Sequence, residues 1–182
     1  MTEEDLDIFR EKGLSVITNP GSNTKLASGI APIRRMMEKG INIGIGTDGP
    51  ASNNCLDMFR EMFLTTGLAK LKDMDAAAVD ADQVLYMAVA GGAKAMGLDA
   101  CDTLEEGKLA DLILIDLQQP NMQPLNNITK NLVYSGSKQN VKLTMVNGKI
   151  LYENGEFFVG EAPGQIYEKA QKIIERCQSG TG

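Results

Sequence analysis

Two short runs of β-branched residues constrain this chain more than any other feature. Residues 14–17 and the run Ile41-Asn42-Ile43-Gly44-Ile45 each read as a short strand. Each follows a segment of helical periodicity, and the strands lead into loops rich in Gly, Pro, Ser and Asn. Such alternation is the pattern of strands and helices around a parallel sheet. Residues 3–12 read as the first helix, with Thr2 placed to cap it, Leu6 and Phe9 on one side and Gly13 as its stop. Ile33, Met36 and Met37 mark a second helix ending at Gly40, and Asn19-Pro20-Gly21-Ser22-Asn23 reads as turn.

Two longer helices come next. Leu56, Phe59, Phe63 and Leu71, with Met58 and Met62 beside them, predict an apolar face over residues 55–72. Val84, Leu85, Ala88, Val89, Ala95 and Met96 predict another over 82–96, with Gly97 placed to end it. The methionines fall at core spacing, so packing accounts for them better than a metal or substrate box. Beyond Gly97 the texture turns to β. Residues 110–117 and 141–146 read as strands, and Asn147-Gly148 and Asn154-Gly155 are strong hairpin signals. Ile166, Ala170, Ile173 and Cys177 line one face of a closing helix expected to dock on this antiparallel unit. The division by texture is therefore 1–97 and 98–182.

Composition removes several function classes. With 182 residues, 43% of them hydrophobic and 23% charged, the chain has material for one domain or two small ones. Its net charge of −6 argues against nucleic-acid or anionic-membrane partners. No apolar run approaches the roughly 18 residues of a membrane span, and the start Met1-Thr2-Glu3-Glu4-Asp5 is acidic where a signal peptide would be basic, so a cytoplasmic location is expected. Cys55, Cys101 and Cys177 are odd in number and far apart, which supports neither a disulfide framework nor a thiolate metal site.

The chemistry is expected after the second strand, in Gly46-Thr47-Asp48-Gly49-Pro50-Ala51-Ser52-Asn53-Asn54. A carboxylate at the C-terminal end of a barrel strand can ligate a divalent metal and accept a proton from attacking water. Asp48 could equally brace its own turn, as aspartates before glycine often do. A third reading takes Gly44-Ile45-Gly46-Thr47-Asp48-Gly49 as a dinucleotide fingerprint. Against it, Asp48 would put negative charge in the phosphate cradle, and Pro50 stands where helix amides should be free.

Two segments in order, Ser22-Asn23-Thr24-Lys25-Leu26-Ala27-Ser28-Gly29-Ile30-Ala31-Pro32 and the run around Asp48, closely resemble the amidohydrolase superfamily. Within it the likeness is greatest to the 5-methylthioadenosine/S-adenosylhomocysteine deaminases and related chlorohydrolase-like enzymes. Leu104-Glu105-Glu106-Gly107-Lys108-Leu109-Ala110-Asp111-Leu112 and Val146-Asn147-Gly148-Lys149 are similar to that family's C-terminal β-sandwich segment. The resemblance implies an α/β fold: the last two strand–helix units of a distorted TIM barrel, a small antiparallel β-sandwich segment and a C-terminal helix. It implies hydrolytic deamination of an adenosine-type small molecule, with release of ammonia, at one zinc or iron ion. Asp48 takes the implied role of metal ligand and proton shuttle. Asn23, Lys25, Ser28 and Gly29 match the loop after the seventh barrel strand, where they bind substrate or hold the loop.

The departures from the family pattern carry equal weight. The chain has no histidine, whereas the family surrounds its metal with an HxH pair and two further histidines besides the aspartate. Thr18 stands where many relatives carry a non-ligating histidine. By the resemblance, Met1 falls just after the sixth-strand histidine, so the first six strands lie outside this sequence. One carboxylate does not hold zinc as three or four protein ligands do. The expectation is an enzyme fragment, inactive and without tightly bound metal by itself, whose partner is the missing N-terminal half. The alternative is a non-enzymatic assembly or binding module that uses its exposed strand edges to associate with itself or another chain.

Overall fold

Thr2 starts the first helix as its sequence context predicts. In the computed structural model, which describes residues 1–180, the Asp5 N–H donates to Thr2 Oγ1 at 3.2 Å and the Thr2 N–H donates to the Asp5 carboxylate at 2.7 Å. This reciprocal cap opens α1 (Glu3–Glu11), which buries Leu6 completely. Strand β1 (Ser15–Thr18) comes next, then α2 (Pro20–Lys25), α3 (Ile33–Glu38) and β2 (Asn42–Ile45). β1 and β2 pair in parallel, in register from Ser15 with Asn42 to Thr18 with Ile45. Only β2 is well buried, while Ile17 in β1 stays exposed. The segment read as turn at residues 19–23 is largely helical: Pro20 supplies the fixed φ of a first helical turn, where its missing N–H costs nothing.

Helix α4 (Met58–Asp73) lies near its predicted position but presents a different face. Phe63 and Leu71 are 49% and 68% exposed, and the buried side holds Phe59, Glu61, Met62, Thr65, Thr66 and Ala69. Hydrogen bonds make that polar burial tolerable: the Thr65 hydroxyl donates to the Glu61 carbonyl at 2.8 Å, and the Thr66 hydroxyl to the Val79 carbonyl at 2.7 Å. The next helix is interrupted. It runs as α5 (Ala81–Tyr86), a π-helical turn (Met87–Gly91) and α6 (Gly92–Met96), ending on left-handed Gly97 as expected. The extra residue per turn in the π segment shifts the helical phase from there on, and so Val89 and Met96 face solvent while Met87 and Ala93 are buried. Met36, Met62 and Met87 are core residues.

The π turn lies tight against β2. The Asn42 side-chain amide donates to the Gly91 carbonyl at 3.0 Å, and a Cβ on Gly91 would stand 2.1 Å from the Ile43 carbonyl oxygen. That neighbour is backbone and has no rotamer in which to retreat. Gly91→Ala is therefore expected to destabilise the chain by about 1–3 kcal/mol, as overpacking does, despite the better helix propensity of alanine; urea unfolding measures it.

Compactness divides the chain differently from texture. Met1–Lys108 and Asp116–Asn140 form one unit, and Leu109–Ile115 with the chain from Val141 onward form the other. Residues 116–140 join the first because α7 (Ile128–Ser135), a helix not predicted from the sequence, packs on α4 and α5. The second unit contains β3 (Leu112–Ile115), β4 (Val141–Val146), β5 (Lys149–Glu153) and β6 (Glu156–Phe157) in an antiparallel sheet of that order. Asn147 and Gly148 have φ of 47° and 75°, and Asn154 and Gly155 have 46° and 97°, the positive pairs that tight hairpins require. Helix α8 (Pro163–Gln178) closes the chain with no buried residue, so the expected docking of its Ile166–Ile173 face is not found. Among the described residues no disulfide is formed, and no helix is long and apolar enough to cross a membrane.

Candidate active site

Because β1 and β2 are parallel, their C-terminal ends emerge side by side, joined by the Gly46 N–H donating to the Thr18 carbonyl at 2.9 Å. Two loops leave from that end: the one containing α2, and residues 46–57 leading to α4. Gly44 and Gly46 have a packing reason. A Cβ on Gly44 would approach Ile17 Cδ1 at 2.7 Å, and one on Gly46 would approach Asn19 Oδ1 at 2.5 Å. The helix that follows the glycine-rich turn, α4, begins only at Met58, so the turn does not open a helix as the dinucleotide-fingerprint reading requires.

Asp48 sits at the tip of this arrangement, exposed and with φ of 59°. That left-handed conformation is uncommon for a residue with a side chain, although Asp and Asn adopt it most readily. The Ser22 hydroxyl, from the neighbouring loop, donates to Oδ2 at 2.7 Å, and the Gly49 N–H donates to Oδ1 at 2.7 Å. Ser22 above all, with the Ser52 hydroxyl and the Gly49 amide, holds the carboxyl below the usual carboxylate range. Asp48 is thus ionised at neutral pH and accepts from two directions.

The other sequence-predicted residues separate into two groups. Lys25 is spent on the loop: Nζ donates to the Ala51 carbonyl at 2.8 Å and to Asn54 Oδ1 at 2.6 Å. Asn23, Ser28 and Gly29 line a cleft of about 330 Å³ with Val16, Ile17, Thr18 and Met36, and neither Asp48 nor Lys25 is in that lining. Gly29 has φ of 92°, which explains glycine there without any ligand. A larger cleft of about 450 Å³, on Ile41, Asn42, Ile43, Tyr86 and Lys94, contains none of the predicted residues.

Two residues that sequence reasoning leaves without a role organise the site. Glu61, fully buried on α4, accepts the Gly21 N–H on Oε2 and the Asn53 side-chain amide on Oε1, both at 2.7 Å. Asn53, also buried, donates the same amide to the Thr47 carbonyl at 2.8 Å and accepts the Cys55 N–H at 3.2 Å. The available signal is phase: Glu61 lies one turn before the buried Thr65 on α4, beside the buried Met62.

Among the described residues no three His, Cys, Asp or Glu side chains come together as a metal-holding group. Around Asp48 stand hydroxyls and a backbone amide rather than further ligands. The described donor set does not fit a zinc or iron ion, and the chemistry of this chain is that of a single ionised carboxylate.

A carboxylate on the loop after a parallel strand, fastened by a serine from the adjacent loop, is an arrangement suited to hydrolytic proton transfer. The chain belongs to the amidohydrolase family, which matches residues 1–151. It is 42% identical over 173 residues to a 5-methylthioadenosine/S-adenosylhomocysteine deaminase of Dictyoglomus thermophilum, covering 95% of this chain and 41% of that protein. A 5'-deoxyadenosine deaminase of Methanosarcina mazei is likewise 42% identical, over 96% of this chain and 40% of its own length. A solved adenosine deaminase from Xanthomonas campestris with bound zinc superposes with a TM-score of 0.94 at 36% identity, over 98% of this chain and 41% of that one. Zinc-complexed atrazine chlorohydrolase from Arthrobacter aurescens gives 0.87 at 26%, over 96% and 39%. The chain thus spans about two-fifths of the length of these relatives.

Proposed function

We propose that this chain contributes the Asp48 portion of a cytoplasmic, metal-dependent amidohydrolase that deaminates adenosine-type small molecules, with 5-methylthioadenosine and S-adenosylhomocysteine as the leading substrates. The observation that carries the reading is the Asp48 carboxylate, kept ionised by Ser22 and Gly49 beside the ends of β1 and β2. The parallel pair and its helices, to about residue 97 with α7 packed back on them, correspond to a partial TIM barrel. The sheet β3–β6 corresponds to a β-sandwich segment. In the assembled enzyme Asp48 would be one ligand of the metal and would accept the proton of the attacking water. Asn23, Ser28 and Gly29 shape the substrate cleft, and Lys25 fixes the loop beside it. The remaining ligands, and hence the zinc or iron, belong to the rest of the enzyme.

The isolated 182-residue chain is expected to release no ammonia from 5-methylthioadenosine and to bind no stoichiometric zinc or iron. Substituted for the corresponding segment of the Dictyoglomus thermophilum deaminase, it is expected to give a hybrid that does both. Turnover by the isolated chain, or a folded, metal-loaded hybrid without deaminase activity, would overturn this reading.

A further inference from the structure

We infer that Glu61, acting with Asn53, is the positioning residue for Asp48, an assignment that rests on the deaminase reading above. A fully buried carboxylate is a poor stabiliser, because an apolar side chain could fill the same space without the desolvation cost. What Glu61 supplies is direction, since each of its oxygens anchors one of the two loops that hold Asp48. Through Oε2 it fixes the Gly21 N–H at the start of α2, and the next residue, Ser22, donates to Asp48 Oδ2. Through Oε1 it fixes the Asn53 amide, which also holds the Thr47 carbonyl, while the Asn53 N–H donates to the Gly49 carbonyl at 2.8 Å. Asp48 is therefore clamped at its side chain and on both backbone flanks from one buried group. Its left-handed backbone needs such a frame, because sparsely populated conformations persist only where the surroundings over-determine them.

The test begins with the isotopically labelled 182-residue chain. Glu61→Gln keeps the side-chain volume but turns an amide toward one of two donors. It is expected to quicken exchange of the Gly21 amide by about tenfold or more, as a local opening. It should also shift the Gly49 amide resonance, which reports the bond to Asp48 Oδ1, without changing exchange in the hairpin of β4 and β5. Asn53→Ser keeps the pair of Glu61 with Gly21, and so should shift Gly49 while Gly21 stays protected; it also serves if Glu61→Gln fails to fold. In the hybrid enzyme, Glu61→Gln should lower kcat by roughly 10–100-fold with KM nearly constant, the signature of a displaced reacting group. An unmoved Gly49 resonance in both variants overturns the inference. So does an unchanged kcat where Asp48→Asn abolishes turnover. If Asp48→Asn itself leaves turnover intact, the deaminase reading falls, and the Gly49 resonance alone decides the positioning.

Discussion

Asp48→Asn in the hybrid enzyme is expected to lower kcat/KM for 5-methylthioadenosine by about 10²–10⁴-fold, the range a positioned proton-transfer group supplies. That loss corresponds to about 3–5 kcal/mol of transition-state stabilisation. The substitution separates the two readings open for this residue. Asparagine tolerates the left-handed φ of 59°, retains an oxygen for the Gly49 N–H and forms the same Asx turn, so a residue that only braced the turn would be replaced without consequence. What asparagine lacks is the charge, which hydrogen bonds from Ser22, Ser52 and Gly49 favour by holding the carboxyl below its usual range. Steady-state ammonia release, with thermal unfolding as the control for folding, gives the result. Full activity with native stability would assign Asp48 to the turn.

Features set by neighbours in sequence are legible without the structure. The Thr2 cap, the left-handed stop at Gly97 and the two Asn-Gly hairpins each depend on a few adjacent residues, and each forms where expected. Features set across the fold are not. Pro20-Gly21-Ser22-Asn23 has the composition of a turn, yet its helix starts at an amide bound to Glu61, which is distant in sequence. Glu61 itself escapes a binary reading of α4, which sends every glutamate to solvent, whereas two donors and a buried threonine neighbourhood keep this one inside. The face of α4 is misjudged for the same reason: Phe63 and Leu71 have the character of core, and Thr65 and Thr66 do not. Within the candidate site, the placement of Asp48 just after the second strand is legible through its motif. Asn53 lies in that motif too, but its role as the link between Thr47 and Glu61 depends on a side-chain direction that spacing does not show.

Gly21→Ala is expected to destabilise the chain by about 2 kcal/mol or more, from overpacking together with a lost hydrogen bond to a buried group. An alanine Cβ at this position would lie 2.4 Å from Glu61 Oε1, 2.8 Å from Asn53 Nδ2 and 3.0 Å from Glu61 Oε2. These are side-chain ends, but they are held by each other, by the Gly21 N–H and by the Thr47 carbonyl, so any retreat breaks a hydrogen bond to a buried carboxylate. Helix propensity pulls the other way: alanine is better than glycine inside a helix by about 1 kcal/mol, which is too little to offset that loss. Gly67 supplies the internal control. It lies within α4 with nothing inside 4 Å of its would-be Cβ, so Gly67→Ala should gain roughly 0.5–1 kcal/mol where Gly21→Ala loses several times as much. Chemical denaturation of the two variants against the parent chain measures both signs. Equal stabilisation by both would mean that Glu61 and Asn53 can move aside, and that the clamp on Asp48 is softer than its hydrogen bonds imply.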